Sequence, residues 1–287
     1  MLIGAHLSVS AGYRAAVDYA LEVGCECMQI FAKSPRQWRA KGLDPIAAAE
    51  FTAMRAEAGL GSLFTHTAYL INPATDNPEL RANSIAALAD EISRGRLLSA
   101  AGVVTHLGND PAQDPARAAK RVADAIVRAF EAADGERGET MLLLENTAGA
   151  GTSFGSGFGE LGAVVEALPD DLRPHVGLCI DTCHAHAYGI DLSTPEAWES
   201  LVEQADSECG QGAIQLIHAN DCKFATAERK DRHEWIGDGF LGNASFEAMM
   251  CIERLKETCC ITEMPGEIPV KDVVNTARLK AMRDACA

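Results

Sequence analysis

Six short apolar segments of this sequence each end in, or just before, a side chain that can bind a metal ion. These six side chains are His66, His106, Glu145, Asp181, His218 and Glu263. Placing several carboxylates and imidazoles together in an apolar interior is costly unless cations pair with them. The pattern therefore predicts a metal site. A mixture of His, Asp and Glu without Cys favours zinc, manganese or iron over magnesium.

Two loop segments extend this set of candidate ligands. His184 follows Asp181 by three residues, and His233 follows Asp231 by two. In an extended segment, residues two apart point to the same side, so Asp231 and His233 can converge on one ion. Because a protein-bound zinc ion usually takes four ligands, nine candidates suit two or three ions that share a bridging carboxylate.

These side chains need a scaffold that brings the ends of successive strands together. Eight apolar runs have the length of buried parallel strands: residues 2–6, 27–31, 62–66, 103–106, 141–145, 176–181, 214–220 and 259–263. Helix-length stretches separate them, and we predict the first helix over residues 10–23 and the last over 270–285. Four of these stretches start with a capping residue followed by proline: Asp44, Asn77, Asp114 and Thr194.

This alternation predicts an α/β fold, a (β/α)8 TIM barrel forming a single domain over residues 1–287. The carboxyl ends of barrel strands meet at one rim, where we expect the metal site. A doubly wound open sheet is the alternative fold. No Gly-x-Gly-x-x-Gly turn follows the first strand, which counts against the dinucleotide-binding form of that sheet.

The composition limits the compartment and the kind of partner. The 287 residues include 25 Lys and Arg against 41 Asp and Glu, and this net charge of −16 argues weakly against a passive DNA-coating protein. Bound metal ions can reverse the sign of the charge locally. Without a leader, a membrane-length apolar run or a heptad pattern, we expect a cytoplasmic monomer that does not engage a membrane. Its cysteines are then expected to be buried free thiols.

Longer motifs surround the predicted strand ends. They are Gly4-Ala5-His6, Lys33-Ser34-Pro35-Arg36-Gln37-Trp38, His66-Thr67-Ala68-Tyr69-Leu70-Ile71-Asn72, Leu144-Glu145-Asn146-Thr147-Ala148-Gly149, Cys179-Ile180-Asp181-Thr182-Cys183-His184-Ala185, His218-Ala219-Asn220-Asp221, Asp231-Arg232-His233 and Glu263-Met264-Pro265. On these motifs the chain, from first strand to last helix, resembles the endonuclease IV family of apurinic/apyrimidinic endonucleases. That family belongs to the xylose isomerase-like TIM-barrel superfamily.

The resemblance implies three Zn²⁺ ions per chain, with Mn²⁺ as an alternative at one position. It implies one ion on His66, His106 and Glu145, a second on Glu145, Asp181, His218 and Glu263, and a third on His184, Asp231 and His233. Glu145 would bridge two ions and is the candidate catalytic residue. The implied reaction cleaves the phosphodiester 5′ to an abasic site in double-stranded DNA and leaves a 3′-hydroxyl and a 5′-deoxyribose phosphate. Removal of 3′-blocking groups is a further expected activity.

The resemblance also implies which residues contact DNA. Arg36 and Tyr69 correspond to residues that enter the base stack, and Leu70 is a further DNA-binding candidate. Insertion there is comparatively cheap because an abasic site lacks a base to unstack. His6 is expected to support a ligand without binding metal itself. The cations expected near the rim are Lys33, Arg36, Arg39 and Lys223.

Two positions depart from the family pattern. Leu107 follows His106 where the family usually has proline, and Met264 follows Glu263 where threonine is usual. Neither change removes a candidate ligand, so we expect them to affect loop shape and substrate fit only.

Two other functions are compatible with the same barrel. A metal-dependent sugar isomerase or epimerase of this superfamily would use the rim with one or two ions, and it has no need of His184, Asp231 and His233. A non-catalytic binder of damaged DNA would have no reason to keep all nine ligand-type residues together.

Overall fold

A computed structural model describes residues 1–135 and 138–286, and these residues contain a closed barrel of eight parallel strands. The barrel strands are β1 (Leu2–Leu7), β2 (Cys27–Phe31), β3 (Leu63–His66), β4 (Gly102–His106), β5 (Met141–Glu145), β6 (Val176–Asp181), β7 (Ile214–His218) and β10 (Cys259–Thr262). They follow one another around the barrel in sequence order, and β10 pairs with both β7 and β1 to close it. The predicted (β/α)8 TIM barrel is confirmed.

Helices cover the outside of the barrel. Those within the described residues are α1 (Tyr13–Glu22), α2 (Pro45–Glu57), α3 (Pro78–Leu97), α4 (Pro115–Ala132), α5 (Phe158–Glu166), α6 (Thr182–Tyr188), α7 (Pro195–Cys209), α8 (Gly242–Met250) and α9 (Val270–Ala285). The last helix has its predicted bounds. The first begins three residues later than predicted, because Gly12 adopts a φ of 96°, which a right-handed helix cannot contain.

All four predicted capping side chains accept hydrogen bonds from the first turn of their helix. Asp44 accepts from the backbone N–H of residue 46, Asn77 from those of 79 and 80, Asp114 from 117, and Thr194 from 197. Each is followed by proline, whose missing N–H leaves no unpaired donor at that position. These caps fix where the helices start, and therefore how much chain is left for the loops above the strands.

An antiparallel ribbon connects β7 to α8. Its strands are β8 (Asp221–Cys222) and β9 (His233–Glu234), and Cys222 lies opposite His233. The barrel strand β7 therefore ends at His218 rather than at residue 220 as predicted. The Asp221 carboxylate accepts hydrogen bonds from the backbone N–H groups of four residues that follow the ribbon: Gly237, Gly239, Leu241 and Gly242, the first residue of α8. The ribbon carries residues 231–233 back to the rim.

The strand register brings the ionisable side chains at the strand ends next to one another. His106 at the end of β4 lies opposite Glu145 at the end of β5, and Asp181 at the end of β6 lies opposite His218 of β7. Below this level the interior of the barrel is apolar and buried, filled by Cys27, Phe64, Val104, Leu143, Cys179, Leu216, Cys259 and Ile261. The ionisable side chains thus sit on an apolar floor, where charge interactions are strong.

The cysteines differ from the prediction at one place. Cys251 follows α8 and Cys286 follows α9, and their sulfur atoms form a disulfide across a Cα–Cα distance of 5.3 Å. That distance lies within the usual disulfide range. The expectation of free thiols is wrong for this pair, because the contact between the two helix ends is invisible in the sequence. The other eight cysteines are free.

Candidate metal centre

The nine candidate ligands lie together at the carboxyl ends of the barrel strands. Their ligand atoms form three groups, each with all atoms within 4.8 Å of one another: His66, His106 and Glu145; Glu145, Asp181, His218 and Glu263; and His184, Asp231 and His233. The first two groups share Glu145. These are the three groups that the family resemblance implies. Asp181, Cys183 and His233 meet the same distance criterion, a combination that the sequence reading missed because it treated Cys183 as a structural thiol.

Glu145 lies at the centre of the groups, fully buried at the end of β5. Its Oε2 atom is 3.0 Å from His66 Nε2 and 3.3 Å from His106 Nε2. Its Oε1 atom is 3.0 Å from His218 Nδ1 and 3.6 Å from His184 Nδ1. One carboxylate therefore contacts four imidazoles from four different elements, the geometry that a residue shared between two cation positions requires.

Helix α6 positions His184 above the end of β6. Asp181 caps this helix by accepting the backbone N–H of His184 at 2.8 Å. His184 Nδ1 lies 2.9 Å from the Asn146 carbonyl oxygen, and its Nε2 lies 3.2 Å from Asp231 Oδ2. A histidine whose Nδ1–H is held by a carbonyl presents Nε2 as a lone-pair donor, as a metal ligand must.

His233 supplies an observation on whether a cation fits here. Its Nδ1 atom is 3.0 Å from the carbonyl oxygen of Glu263. Its buried Nε2 atom has no hydrogen-bond partner among the described residues, although it faces Asp181 Oδ2 at 3.5 Å and Asp231 Oδ1 at 3.4 Å. A buried nitrogen without a partner, directed between two carboxylates, fits a metal position.

Three of the candidate carboxylates, Glu145, Asp231 and Glu263, have pKa values below their usual range. Burial alone would raise the pKa of Glu145, but the neighbouring His106 and His218 hold it well below its usual range. Burial would also raise the pKa of Glu263, but the neighbouring His218 and His6 outweigh this effect and lower it. At Asp231, burial is outweighed by His184, which lowers its pKa to about 2. Ionised carboxylates are the form that binds metal ions.

Three side chains at the same rim hold candidate ligands in place. Gln29, buried in β2, lies 2.9 Å from Glu263 Oε1 and, through its own Oε1, 2.9 Å from His218 Nε2. The Asn220 amide donates to Asp181 Oδ2 at 2.6 Å and accepts the backbone N–H of Glu263. His6 Nδ1 lies 2.9 Å from Glu263 Oε1. Sequence analysis missed Gln29, whose one signal was an amide inside an otherwise apolar strand.

The site opens into a cavity of about 330 Å³. Its wall includes seven of the nine candidate ligands, all except Asp181 and His218, together with the aromatic side chains of Phe31 and Tyr69 and the aliphatic Met264. A second, larger and mostly apolar groove of about 910 Å³ adjoins it along the loops after β1 and β2. The candidate ligands are therefore reachable from solvent through an elongated depression.

Comparison with known proteins assigns the family. Residues 17–284 match the sequence model of the xylose isomerase-like TIM barrel family. Over 285 residues the chain is 37% identical to the probable endonuclease 4 of Methanoculleus marisnigri, covering 99% of this chain and 100% of that protein. The chain belongs to the endonuclease IV family. The crystal structure of endonuclease IV from Thermus thermophilus has a TM-score of 0.85 at 32% identity, covering 99% of this chain and 100% of that one. The probable endonuclease 4 of Chloroflexus aurantiacus is 38% identical, with 97% of each chain covered.

The two departures from the endonuclease IV pattern fill space in the fold. Leu107 is fully buried, and a Cβ atom at Gly155 would lie only 2.7 Å from its Cδ1 atom. The leucine side chain fits at position 107, where proline is usual, because residue 155 is glycine and has no side chain in that space. Met264 is buried and lines the cavity beside Glu263. Neither displaces a candidate ligand, which agrees with the expectation that their effect is on shape.

The candidate DNA-binding residues occupy two loops next to the cavity. Tyr69 follows β3, with 65% of its surface exposed, and its ring meets Phe31 edge-on at 5.5 Å. Arg36 is exposed in the loop after β2, and Leu70 is half-buried beside Tyr69. The two loops are joined by a hydrogen bond from the backbone N–H of Tyr69 to the Pro35 carbonyl at 3.2 Å.

One of the four cations expected near the rim is buried. Arg36, Arg39 and Lys223 are exposed, but the side chain of Lys33 is 1% exposed. Its Nζ atom contacts Asp90 at 2.7 Å and Glu91 at 3.6 Å, both on α3. The expectation that Lys33 faces DNA as a free cation is wrong, because two helix carboxylates that are remote in sequence pair with it.

Glu91 gives this family member a specific pH dependence of stability. Burial raises the pKa of Glu91 to about 7, despite the nearby Lys33. A raised carboxyl pKa means that its stabilisation is complete at low pH and is lost as the pH rises through 7. In Glu91→Gln, which does not titrate, stability relative to the unmutated protein should increase by about 2 kcal/mol between about pH 5.5 and 8.5. Urea unfolding across this range measures the difference.

Asp191→Asn is the control for that measurement. Hydrogen bonds from Ser193 lower the pKa of Asp191, so it titrates below the tested window, and it is not among the groups that shift the pKa of Glu91. Its difference from the unmutated protein should stay flat with pH. A flat difference for Glu91→Gln as well would contradict the assignment.

Proposed function

We propose that this chain is a metal-dependent apurinic/apyrimidinic endonuclease whose residues 1–287 act as one domain. It cleaves the DNA phosphodiester 5′ to an abasic site, leaving a 3′-hydroxyl and a 5′-deoxyribose phosphate, and it also removes 3′-blocking groups. The observation that carries this proposal is the central position of Glu145, which contacts four imidazoles and belongs to two of the three ligand groups.

The proposed cofactor is zinc, three ions per chain, with Mn²⁺ as an alternative at one position. The three ligand groups, of imidazole and carboxylate donors, suit zinc. When bound, three divalent ions against four ligand carboxylates would leave a charge of about +2 that attracts a phosphate and polarises its ester bond. This local charge explains how a protein with a net charge of −16 can bind DNA.

The protein's own residues supply recognition and orientation. We propose that Tyr69 and Arg36 enter the gap left by the missing base and that Leu70 contacts the neighbouring nucleotide. Tyr69 is suited to this because its ring is exposed at the cavity wall and is supported by Phe31. Glu145 holds the four imidazoles in fixed positions, while Gln29 and Asn220 hold Glu263 and Asp181. Because these contacts fix the charged groups before substrate binds, the groups need not move when a phosphate reacts.

A strand-cleavage assay tests the proposal. Purified protein with its native metals is incubated with a duplex containing one abasic site, with the same duplex intact, and with a 3′-blocked nick. We expect incision of the abasic strand only, a 3′-hydroxyl that a polymerase extends, and unblocking of the nick. A protein that leaves the abasic strand whole, or that interconverts ketose sugars instead, contradicts the proposal.

Tyr69 should contribute to DNA binding more than to the chemical step. Stacking of an aromatic side chain on a base is worth about 1–3 kcal/mol by alanine substitution. Tyr69→Ala should therefore weaken binding of abasic duplex by a comparable amount and raise KM more than it lowers kcat. Leu97→Ala, at the carboxyl end of α3 and thus at the far end of the barrel, is the control and should bind normally. Equal affinity of the unmutated protein for abasic and intact duplex would discard the insertion model.

A further inference from the structure

A buried lysine lies directly beneath the loop that carries Arg36. Lys33 follows β2 by two residues, and its Nζ atom contacts Asp90 Oδ2 at 2.7 Å, Glu91 Oε1 at 3.6 Å and the Trp38 carbonyl oxygen at 3.4 Å. Taking an ammonium group out of water is costly, and only close partners of opposite charge offset that cost. The lysine is therefore held in one place, and through the Trp38 carbonyl it holds the middle of the loop.

Arg94, one turn further along α3, holds both ends of the same loop. Its guanidinium donates to the carbonyl oxygen of Ala32 at 3.4 Å and to that of Lys41 at 2.7 Å. Its Nε atom lies 3.0 Å from both oxygens of Asp90, which also receives Lys33. The residues between 32 and 41 are thus fixed at the start, the middle and the end by one face of α3.

Glu91 extends these contacts to the second loop. Its Oε1 atom accepts the backbone N–H of Ala68 at 3.1 Å, directly before Tyr69. Tyr69 in turn donates its own N–H to Pro35, directly before Arg36. The side chain of Glu91 is 1% exposed, so this hydrogen bond is shielded from competing water. One carboxylate oxygen therefore lies between the buried lysine of the first loop and the backbone of the second.

Helix α3 is a rigid base for such contacts. It runs for 20 residues, and its start is fixed by the Asn77 cap and by proline at the first position. Side chains that insert into a base stack act only from a defined position, and loops that are ordered in advance lose less freedom on binding. The loops after β2 and β3 contain no helix or strand of their own before residue 45 and residue 78. Their order depends on contacts with neighbouring elements.

We propose that four residues form a positioning clamp for the proposed DNA-inserting side chains: Lys33, Asp90, Glu91 and Arg94. The clamp sets the relative position of Arg36 and Tyr69, and through them the preference for abasic over intact DNA. Its members are positioning residues, since they bind the loops and not the substrate. The inference rests on the proposed function, because it assumes that Arg36 and Tyr69 enter the base stack.

Removing the shared oxygen should loosen both loops. In Glu91→Ala the Ala68 N–H and Lys33 both lose a partner, and we expect KM for abasic duplex to rise by about tenfold while kcat changes by less than about twofold. Glu91→Gln keeps an acceptor at the same position, so we expect its KM to stay within about threefold of the unmutated value. This rescue separates positioning from general loss of stability. Steady-state incision kinetics on folded protein, checked by thermal unfolding, give these numbers.

The decisive measurement is a coupling experiment. If the clamp acts through the inserting residues, Glu91→Ala should have no further effect on KM in a protein that already carries Arg36→Ala and Tyr69→Ala. Lys33→Met provides a second route to the same result should Glu91→Ala not fold. Arg81→Met is the control, because Arg81 lies on the same helix but its side chain bonds to Asp124 and to the Arg121 carbonyl of α4. It should keep the unmutated KM.

The outcomes separate the clamp from the proposed function. If the unmutated protein does not prefer abasic duplex, the proposed function fails, whatever the variants do. If the preference exists but both Glu91→Ala and Lys33→Met retain it with unchanged KM, the clamp is wrong. A tenfold effect that persists in the Arg36→Ala, Tyr69→Ala background also overturns it, since the residues would then act by another route.

Discussion

Glu145→Gln is expected to lower kcat for incision of abasic duplex by about 10³-fold, about 4 kcal/mol of transition-state stabilisation. The side chain keeps its size, but it loses the charge that faces four imidazoles at 3.0–3.6 Å. Affinity for the duplex should change little, because the two loops that carry the proposed DNA-binding residues Arg36 and Tyr69 are untouched. This is the pattern of an interaction used mainly in the transition state.

Single-turnover incision at saturating DNA, combined with binding by fluorescence anisotropy, measures both quantities. Glu79→Gln, in the exposed first turn of α3, is the control for the loss of one carboxylate and should incise at the unmutated rate. Near-normal turnover in Glu145→Gln would remove Glu145 from its central role. A parallel loss of kcat and affinity would indicate that the barrel rim had collapsed instead.

Prolonged chelation is expected to abolish incision. The purified protein should contain two to three transition-metal ions per chain, mostly zinc, and its activity should fall to background as they are withdrawn and return when zinc is added back. The candidate ligands are mostly buried, so removal should be slow, and short exposure to a chelator should have little effect. Binding of abasic duplex should also weaken, because the remaining carboxylates would repel phosphate.

Elemental analysis together with the incision assay tests this expectation. Fully active protein with less than one tightly bound transition-metal ion per chain would contradict it. Equal affinity of metal-free and metal-loaded protein for abasic duplex would show that the metal ions do not attract the phosphate, so that exposed cations such as Arg36, Arg39 and Lys223 must do so.

The fold and the nine candidate ligands could be predicted because both depend on short-range patterns. Each barrel strand is an apolar run, and the helices between them start at recognisable capping residues such as Asn77. Once the runs are known to be parallel and adjacent, their ends must converge. His106 then lies opposite Glu145 without any further information. Whether those residues hold metal ions stays a prediction.

Contacts between residues remote in sequence could not be predicted. The sequence around Lys33 predicts an exposed cation in a loop. Only the position of α3 shows that Lys33 is buried and paired with two carboxylates. In the sequence, Gln29 is a single polar residue within the apolar strand β2. Only closure of the barrel brings its side chain into contact with both His218 and Glu263. The disulfide of Cys251 depends on where two helices end. In each case the partner is chosen by three-dimensional packing, for which local patterning carries no signal.

The loop held by Asp221 has a consequence for how freely this protein can change in evolution. Asp221 binds the loop through hydrogen bonds from backbone N–H groups, so these bonds do not depend on which side chains occupy positions 238, 240 and 241. Gly237 and Gly242 have φ values of 85° and 68°, a region that side chains disfavour, and a Cβ at Gly239 would meet Asp221 itself. Mutational drift should therefore be fast at the exposed Phe240 and slow at the glycines, at Leu241, which packs against the core, and at Asp238, which pairs with Arg278. The ribbon that carries His233 can thus stay unchanged while the exposed side chain at position 240 varies.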